Sequence, residues 1–308
     1  MTLFDKLVEE ALRNRNNVAG VRAVVEKELL HHDILRVMSK AGLLRQMTFM
    51  GGTCLRACYG AQRLSEDLDF TGGGDFKRED LQDLAQTIID RLREKYELDV
   101  SVSEPHRETG NTNTWKIKVV TQPERKNLPA QKINIDVCAI PSHQPRPMVL
   151  INHYGVDMGT GGLIIQCQTR EEILLDKIFA LALRLNRIKN RDLWDISWLK
   201  QQNIILPVLL SEDKVNDHGR TRKEVIDLLE RRCRELEQDA SLSASFHAEM
   251  IRFLPSDVAD KTVVQPGFWE YIASQAIEES LKVIKHLKGQ KPPSSSAFPM
   301  TDSKVNIH

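Results

Sequence analysis

The sequence is poor in cysteine. Its 308 residues hold five, an odd number without paired CxxC spacing, which argues against both a disulfide framework and a structural zinc site. Cys54 and Cys58 lie one helical turn apart and are expected to be small core-facing residues. The start, MTLFDKLVEEAL, has no basic region followed by an apolar stretch, and no apolar run approaches the ~20 residues of a membrane span. A soluble, cytoplasmic protein with no membrane partner is therefore expected. An excess of either charge is missing too: 43 Lys and Arg balance 43 Asp and Glu. Without a global attraction to nucleic acid, any polyanion must be held by a local patch. The length allows about two domains of roughly 100–200 residues each, enough for a sizeable core.

What is present concentrates in residues 47–70, MTFMGGTCLRACYGAQRLSEDLDF. Asp67 and Asp69 are spaced by two, which on a strand puts both side chains on one face, whereas on a helix they would point about 200° apart. Leu68 and Phe70 alternate with them and can face a core while the carboxylates face a cleft. Two hard anions so placed favour Mg²⁺. Upstream, residues 47–50 read as a short strand, and Gly51 and Gly52 allow a tight turn into a helix beginning near Thr53. Such a turn leaves N–H groups and the positive end of a helix dipole facing outward, a ready site for a phosphate. Nucleotide phosphates and a divalent metal are thus implied together. Ordinary turns and solvated strand ends also produce a lone Gly-Gly-Thr or Asp-x-Asp. The joint order of strand, Gly-Gly-Thr, short helix and Arg-x-Ser-x-Asp-x-Asp-Phe is much more specific.

Before this stretch, Val21, Val24, Val25, Leu29, Ile34, Val37, Met38 and Ala41 keep the spacing of one buried helical stripe. His31 and His32 are adjacent, cannot share a helix face, and are expected at the surface. After it, Gly72, Gly73 and Gly74 break the strand into a mobile loop, and residues 76–96 return to helix. Residues 98–102, 115–120 and 132–140 read as strands, the last two joined as a long hairpin through a connection with Pro123 and Pro129. In the last, Ile133, Ile135 and Val137 face one way and Asn134, Asp136 and Cys138 the other. Taken alone, Asp136 reads as an edge-strand charge that discourages aggregation; beside Asp67 and Asp69 it reads as a further member of their cluster. Residues 148–151 and 163–167 complete the sheet, and the chain is helical from Thr169 to about residue 288, with breaks near Pro207, His218, Pro255 and Pro266. The class is α+β: residues 1–167 form a mixed sheet flanked by helices, 168–288 a helical bundle, and 289–308 a tail too poor in apolar residues to order.

Between Asp176 and Asp192 stand five cations, Lys177, Arg184, Arg187, Lys189 and Arg191, and no acid. Lys177, Arg184 and Arg191 are successive sevens and would form one line on a continuous helix, with Asp195 returning to it, although Asn186 and Asn190 can break that helix. A charge run is usually a solvated face. Here the intervening Ile178, Phe179, Leu181, Ala182 and Leu183 leave little room for one. A cation line opposite a carboxylate cluster suits a triphosphate chelated by Mg²⁺.

Gly51-Gly52-Thr53-Cys54-Leu55 followed by Arg63-Leu64-Ser65-Glu66-Asp67-Leu68-Asp69-Phe70 resembles the AbiEii/AbiGii toxin family of the DNA polymerase β nucleotidyltransferase superfamily. The resemblance continues in Asp136 and from Glu171 to Asp195, about the middle half of the chain. It implies a nucleotidyltransferase fold and the toxin of a toxin–antitoxin or phage-defence pair, with a cognate antitoxin encoded beside it. It further implies two Mg²⁺ ions on Asp67, Asp69 and Asp136, and a nucleoside triphosphate held by Gly51, Gly52, Thr53, Arg63, Ser65 and Arg184. Lys177 and an aspartate, Asp192 or Asp195, are implied as catalytic, and Ser65 matches a serine that is phosphorylated in some relatives. The expected acceptor is RNA, a tRNA 3′ end, with a second basic track at Arg220, Arg222, Lys223, Arg231, Arg232 and Arg234. The alternatives are a small-molecule nucleotidyltransferase of the aminoglycoside type and a catalytically inactive member that binds RNA or a partner.

Overall fold

The computed structural model describes residues 2–105, 111–125, 127–184 and 186–289; the tail expected at 289–308 lies outside the described residues from 290 onward. Its centre is a seven-stranded sheet of order β3-β4-β5-β2-β1-β7-β6. The strands are β1 (Thr48–Met50), β2 (Leu68–Thr71), β3 (Asp99–Ser103), β4 (Thr112–Val120), β5 (Gln131–Cys138), β6 (Pro145–Val149) and β7 (Ile164–Gln168). β2 runs parallel to β5 and antiparallel to β1, while β1 runs parallel to β7. The expected hairpin pairs β4 with β5 antiparallel. β5 is therefore interior to the sheet, which removes the edge-strand explanation of Asp136.

Two helices, α1 (Leu3–Asn14) and α2 (Arg22–Lys40), precede the sheet, and α3 (Gly51–Tyr59) and α4 (Leu84–Tyr96) are inserted between strands. Alternation decides the core: Ile133, Ile135 and Val137 are fully buried, as is Leu68, because every second strand residue points to the helical layer. Within the expected helix at 76–96, a 3₁₀ turn at Arg78–Leu81 comes first, and the α-helix starts only at Leu84. His31 and His32 are both buried, contrary to the expected surface position. Their opposite directions remain, but α2 is packed on both: His31 Nε2 is 2.9 Å from the Glu66 carbonyl and His32 Nδ1 is 2.9 Å from the Thr160 hydroxyl. Burial lowers the pKa of both imidazoles, that of His32 to about 4.

The second half comprises α5 (Arg170–Leu183), α6 (Asn190–Gln201), α7 (Ser211–Asp217), α8 (Arg222–Gln238), α9 (Ser241–Met250), α10 (Ser256–Lys261) and α11 (Phe268–Leu287). Thr169 caps α5 by accepting the Glu172 N–H at 3.3 Å. Breaks occur near Pro207, His218, Pro255 and Pro266 as expected, and a further, unexpected one at residues 239–240 separates α8 from α9. The basic stretch is not one helix: α5 stops at Leu183, Arg184 is extended, and α6 begins only at Asn190. Lys177, Arg184 and Arg191 consequently do not form a single line. One continuous buried cluster runs from Phe4 and Phe49 through Ile178 and Leu193 to Val283, so the helices after residue 168 share the core of the sheet. Among the described residues no helix is long and apolar enough to cross a membrane.

Candidate active site

The strand order brings the acids together. Asp69 of β2 is the register partner of Asp136 on β5 and of Met50 on β1, so the two carboxylates stand side by side and the residue after Met50 lies against Asp69. That residue is Gly51, at φ +73°, where a Cβ would lie 2.6 Å from Asp69 Oδ2. Only glycine satisfies both the backbone and the space. At Gly52 a Cβ would collide with the Arg63 guanidinium. Asp67 precedes β2 and its Oδ1 accepts the Asn134 N–H at 3.0 Å. Asp136 Oδ1 accepts the Thr114 hydroxyl at 2.6 Å. Burial raises the pKa of Asp69 against the pull of Lys189 and Lys177, and the negative charges of Asp67 and Asp192 raise it further. Burial also raises that of Asp136, opposed by the Thr114 bond and reinforced by Asp69 and Asp67.

Facing these acids is a cluster from α5 and α6. Lys177 Nζ lies 2.6 Å from Asp192 Oδ1 and 2.9 Å from Asp195 Oδ2. Arg184 reaches Asp192 at 2.7 Å. Arg63 makes a bidentate pair with Asp195, at 2.9 and 2.8 Å, which ties the approach to β2 onto α6. Burial opposes the charge on both aspartates, but Lys177, Lys189 and Arg184 hold Asp192 well below the usual carboxylate range, and Arg63 with Lys177 lowers Asp195. The ammonium of Lys177 is likewise held charged against burial by Asp192 and Asp195.

Gly52, Arg63, Ser65, Asp67, Asp69, Asp136, Lys177 and Asp192 line one small cavity of about 60 Å³, joined by Lys189 and Arg191. Thr53 sits behind it: its hydroxyl is 2.6 Å from that of Ser65 and also donates to the Asp67 carbonyl. Ser65 is buried, and its N–H donates to Glu28 at 2.9 Å. Asp195 and Arg184 act on the cavity through Lys177 and Asp192. Lys189 was not singled out by the sequence beyond its place in the basic run. It sits in the extended link before α6, and among the described residues its ammonium has no ion-pair partner; burial lowers its pKa against the attraction of Asp192 and Asp69. No periodicity marks such a residue, because its position depends on where α5 ends.

Lys189 and Arg191 also line a larger cleft of about 830 Å³, bordered by Arg187, Arg252, Glu249 and Phe253. The second basic track is largely consumed by ion pairs: Arg222 with Glu212, Lys223 with Asp227, and Arg231 and Arg232 with Glu235. Among the described residues, the cleft cations without an ion-pair partner are instead Arg187, Lys189 and Arg252.

The donor chemistry fits a hard divalent cation. Asp67, Asp69 and Asp136 offer only oxygen, and among the described residues none of them is taken up in an ion pair. They do not converge into one cage: among the described residues the one group of three His, Cys, Asp or Glu ligand atoms within 4.8 Å of one another lies elsewhere. Mg²⁺ ordinarily takes one or two carboxylates and completes its shell with water and substrate phosphate.

Residues 33–274 match the family described as nucleotidyl transferase AbiEii toxin, Type IV TA system. The match spans well over half of the chain, which therefore belongs to this family and is a nucleotidyltransferase of the type IV toxin–antitoxin class. Among solved structures it is similar to a candidate nucleotidyltransferase from H. pylori, 14% identical with a TM-score of 0.46, over 88% of this chain and 98% of that one. It is also similar to JHP933 from Helicobacter pylori, 14% identical with a TM-score of 0.42, over 86% and 94% of the two chains. No curated protein matches.

Proposed function

We propose that this toxin transfers a nucleotide from a nucleoside triphosphate to RNA, at a tRNA 3′ end, in a Mg²⁺-dependent reaction. The observation that carries this is that Lys189 and Arg191 line both the carboxylate cavity and a cleft of about 830 Å³, which is bordered by Arg187 and Arg252. Asp67, Asp69 and Asp136 would hold the metal, which when bound neutralises phosphate charge and polarises the reacting oxygens. The N–H groups opening α3 at Gly51, Gly52 and Thr53 supply an anion site beside Asp69. The Thr53 hydroxyl is already committed to Ser65 and Asp67, so Thr53 contributes its backbone to phosphate and its side chain to fixing the strand. Lys177 and Lys189 offset negative charge that gathers on the triphosphate as transfer proceeds. Asp192 and Asp195 are positioning residues that hold Lys177, and Arg63 and Arg184 lock those two aspartates.

The expected setting is the cytoplasm, in phage defence, with an antitoxin encoded in the adjacent reading frame. Incubation with each labelled nucleoside triphosphate and total cellular RNA should label RNA, and Asp69→Ala should abolish both the labelling and growth arrest on expression. Label that survives ribonuclease would point to a small-molecule acceptor, and arrest that persists in Asp69→Ala would point to binding without chemistry.

A further inference from the structure

Cys54 and Cys58 stand one turn apart on α3 and meet Cys167 of β7. The three sulfurs lie within 4.8 Å of one another, and those of Cys58 and Cys167 are 3.4 Å apart. All three residues are buried. A single buried cysteine is ordinary core packing. Here three converge from two elements more than a hundred residues apart in sequence, whereas Cys138 and Cys233 stay outside the group.

Metal–thiolate bonds of about 2.3 Å in a trigonal arrangement separate the sulfurs by roughly 4 Å, so the cluster is within side-chain adjustment of such a site. Its donor set is informative. Among the described residues no histidine or carboxylate joins the three thiols, which disfavours Zn²⁺ with its four tetrahedral ligands. Sulfur donors alone, in low coordination number, suit the soft cation Cu(I). Positive charge is at hand to balance an anionic centre: Arg146 is the register partner of Cys167 on β6, and its Nε donates to the Tyr59 hydroxyl at 3.2 Å.

We propose that Cys54, Cys58 and Cys167 form a three-thiolate site for one Cu(I) ion between α3 and β7. Three S–H bonds give way to three Cu–S bonds, three protons pass to solvent, and no electron is transferred. Cys167 pairs with Phe49 of β1, and α3 opens with Gly51 and Gly52. The ion would therefore clamp the catalytic turn from behind.

The test is an anaerobic titration of the reduced full-length chain with Cu(I), against bicinchoninate as a coloured competitor. One ion per chain should be withdrawn from the competitor, with a rise in Tm, since ligands that bind the native state stabilise it. Cys167→Ser, Cys54→Ser and Cys58→Ser should each weaken binding by at least ~100-fold, more than the loss of an outer-shell partner costs. The double variant Cys138→Ser with Cys233→Ser should bind as wild type does. Three cluster variants guard against one that fails to fold; circular dichroism identifies those that do fold, and only these are compared. No withdrawal of Cu(I) by the wild type, undiminished binding in the folded cluster variants, or displacement of Cu(I) by equimolar Zn²⁺ would overturn the assignment.

Discussion

Asp67, Asp69 and Asp136 receive one hydrogen bond from Thr114 and one from the Asn134 backbone, and no ion pair among the described residues. Asp192, which lines the same cavity, and Asp195 behind it are saturated by Lys177, Arg184 and Arg63. Both groups are acids in a largely buried setting, yet their pKa values move in opposite directions: up for Asp69 and Asp136, down for Asp192 and Asp195. Burial penalises all of them, and what separates them is whether a cation stands in direct contact. The first group has no direct cationic partner among the described residues, and an incoming cation would supply one. The second spends its charge on fastening the helical half to the catalytic strand.

The largest effects should come from exchanging these fates. Asp69→Asn removes a buried, repelled charge: transfer activity should fall at least ~100-fold, as for a positioned catalytic group, while the Tm of the metal-free protein holds or rises. Asp195→Asn does the reverse. It leaves Arg63 charged in a site where both side chains are under 5% exposed, and breaking a buried pair from one side costs about 3–5 kcal/mol. Thermal melts and transfer assays on the two variants separate the roles. A destabilised Asp69→Asn beside a fully stable Asp195→Asn would invert the comparison.

Much of this was legible because strands repeat by two. The alternation of Leu68 and Phe70 with Asp67 and Asp69, and of Ile133, Ile135 and Val137 with Asp136, fixes which side chains reach the cleft, and glycine is needed wherever backbone meets carboxylate. The failures are tertiary. His31 and His32 do point apart, but α2 is enclosed on both sides, which local pattern cannot reveal. The seven-residue spacing of Lys177, Arg184 and Arg191 holds only on an unbroken helix, and α5 ends at Leu183. Lys189 matters because it enters the cavity from the link between two helices, and Cys167 for two thiols on a distant helix; neither is a property of neighbouring residues.

A smaller effect follows from pH. Asp69 and Asp136, raised above the usual value of 3.8, take up protons first as pH falls, and protonation removes the charge that would hold a metal. Asp192 and Asp195 have folded values below 3.8. Their contribution to stability is complete above the unfolded pKa and is lost as pH drops through it toward the folded one. Acidification should therefore weaken Mg²⁺ binding and activity before the fold is lost, with a window in which the protein is native but inactive. Calorimetric Mg²⁺ titration and circular dichroism across the same pH series measure both. Coincident loss would mean that the two clusters titrate as one.

The smallest effect expected is at the rim of the larger cleft, where Arg187 and Arg252 carry neither the metal site nor the clamp. Their charges are uncommitted, so replacing both by Gln should leave Tm and nucleotide affinity close to wild type. RNA affinity should fall several-fold at low salt, because each neutralised phosphate releases condensed counterions. The same release sets the salt dependence: two contacts to a single strand contribute about 1.4 to the slope of log affinity against log salt, and the double variant should be shallower by no more than that. The ion-paired Arg222 and Lys223 supply the control. Their replacement by Gln should change the slope less, since their partners already neutralise them. Equal losses in the two double variants would show that general positive charge, and not this cleft, attracts the RNA, and nucleotide affinity falling with RNA affinity would place Arg187 and Arg252 in the triphosphate site.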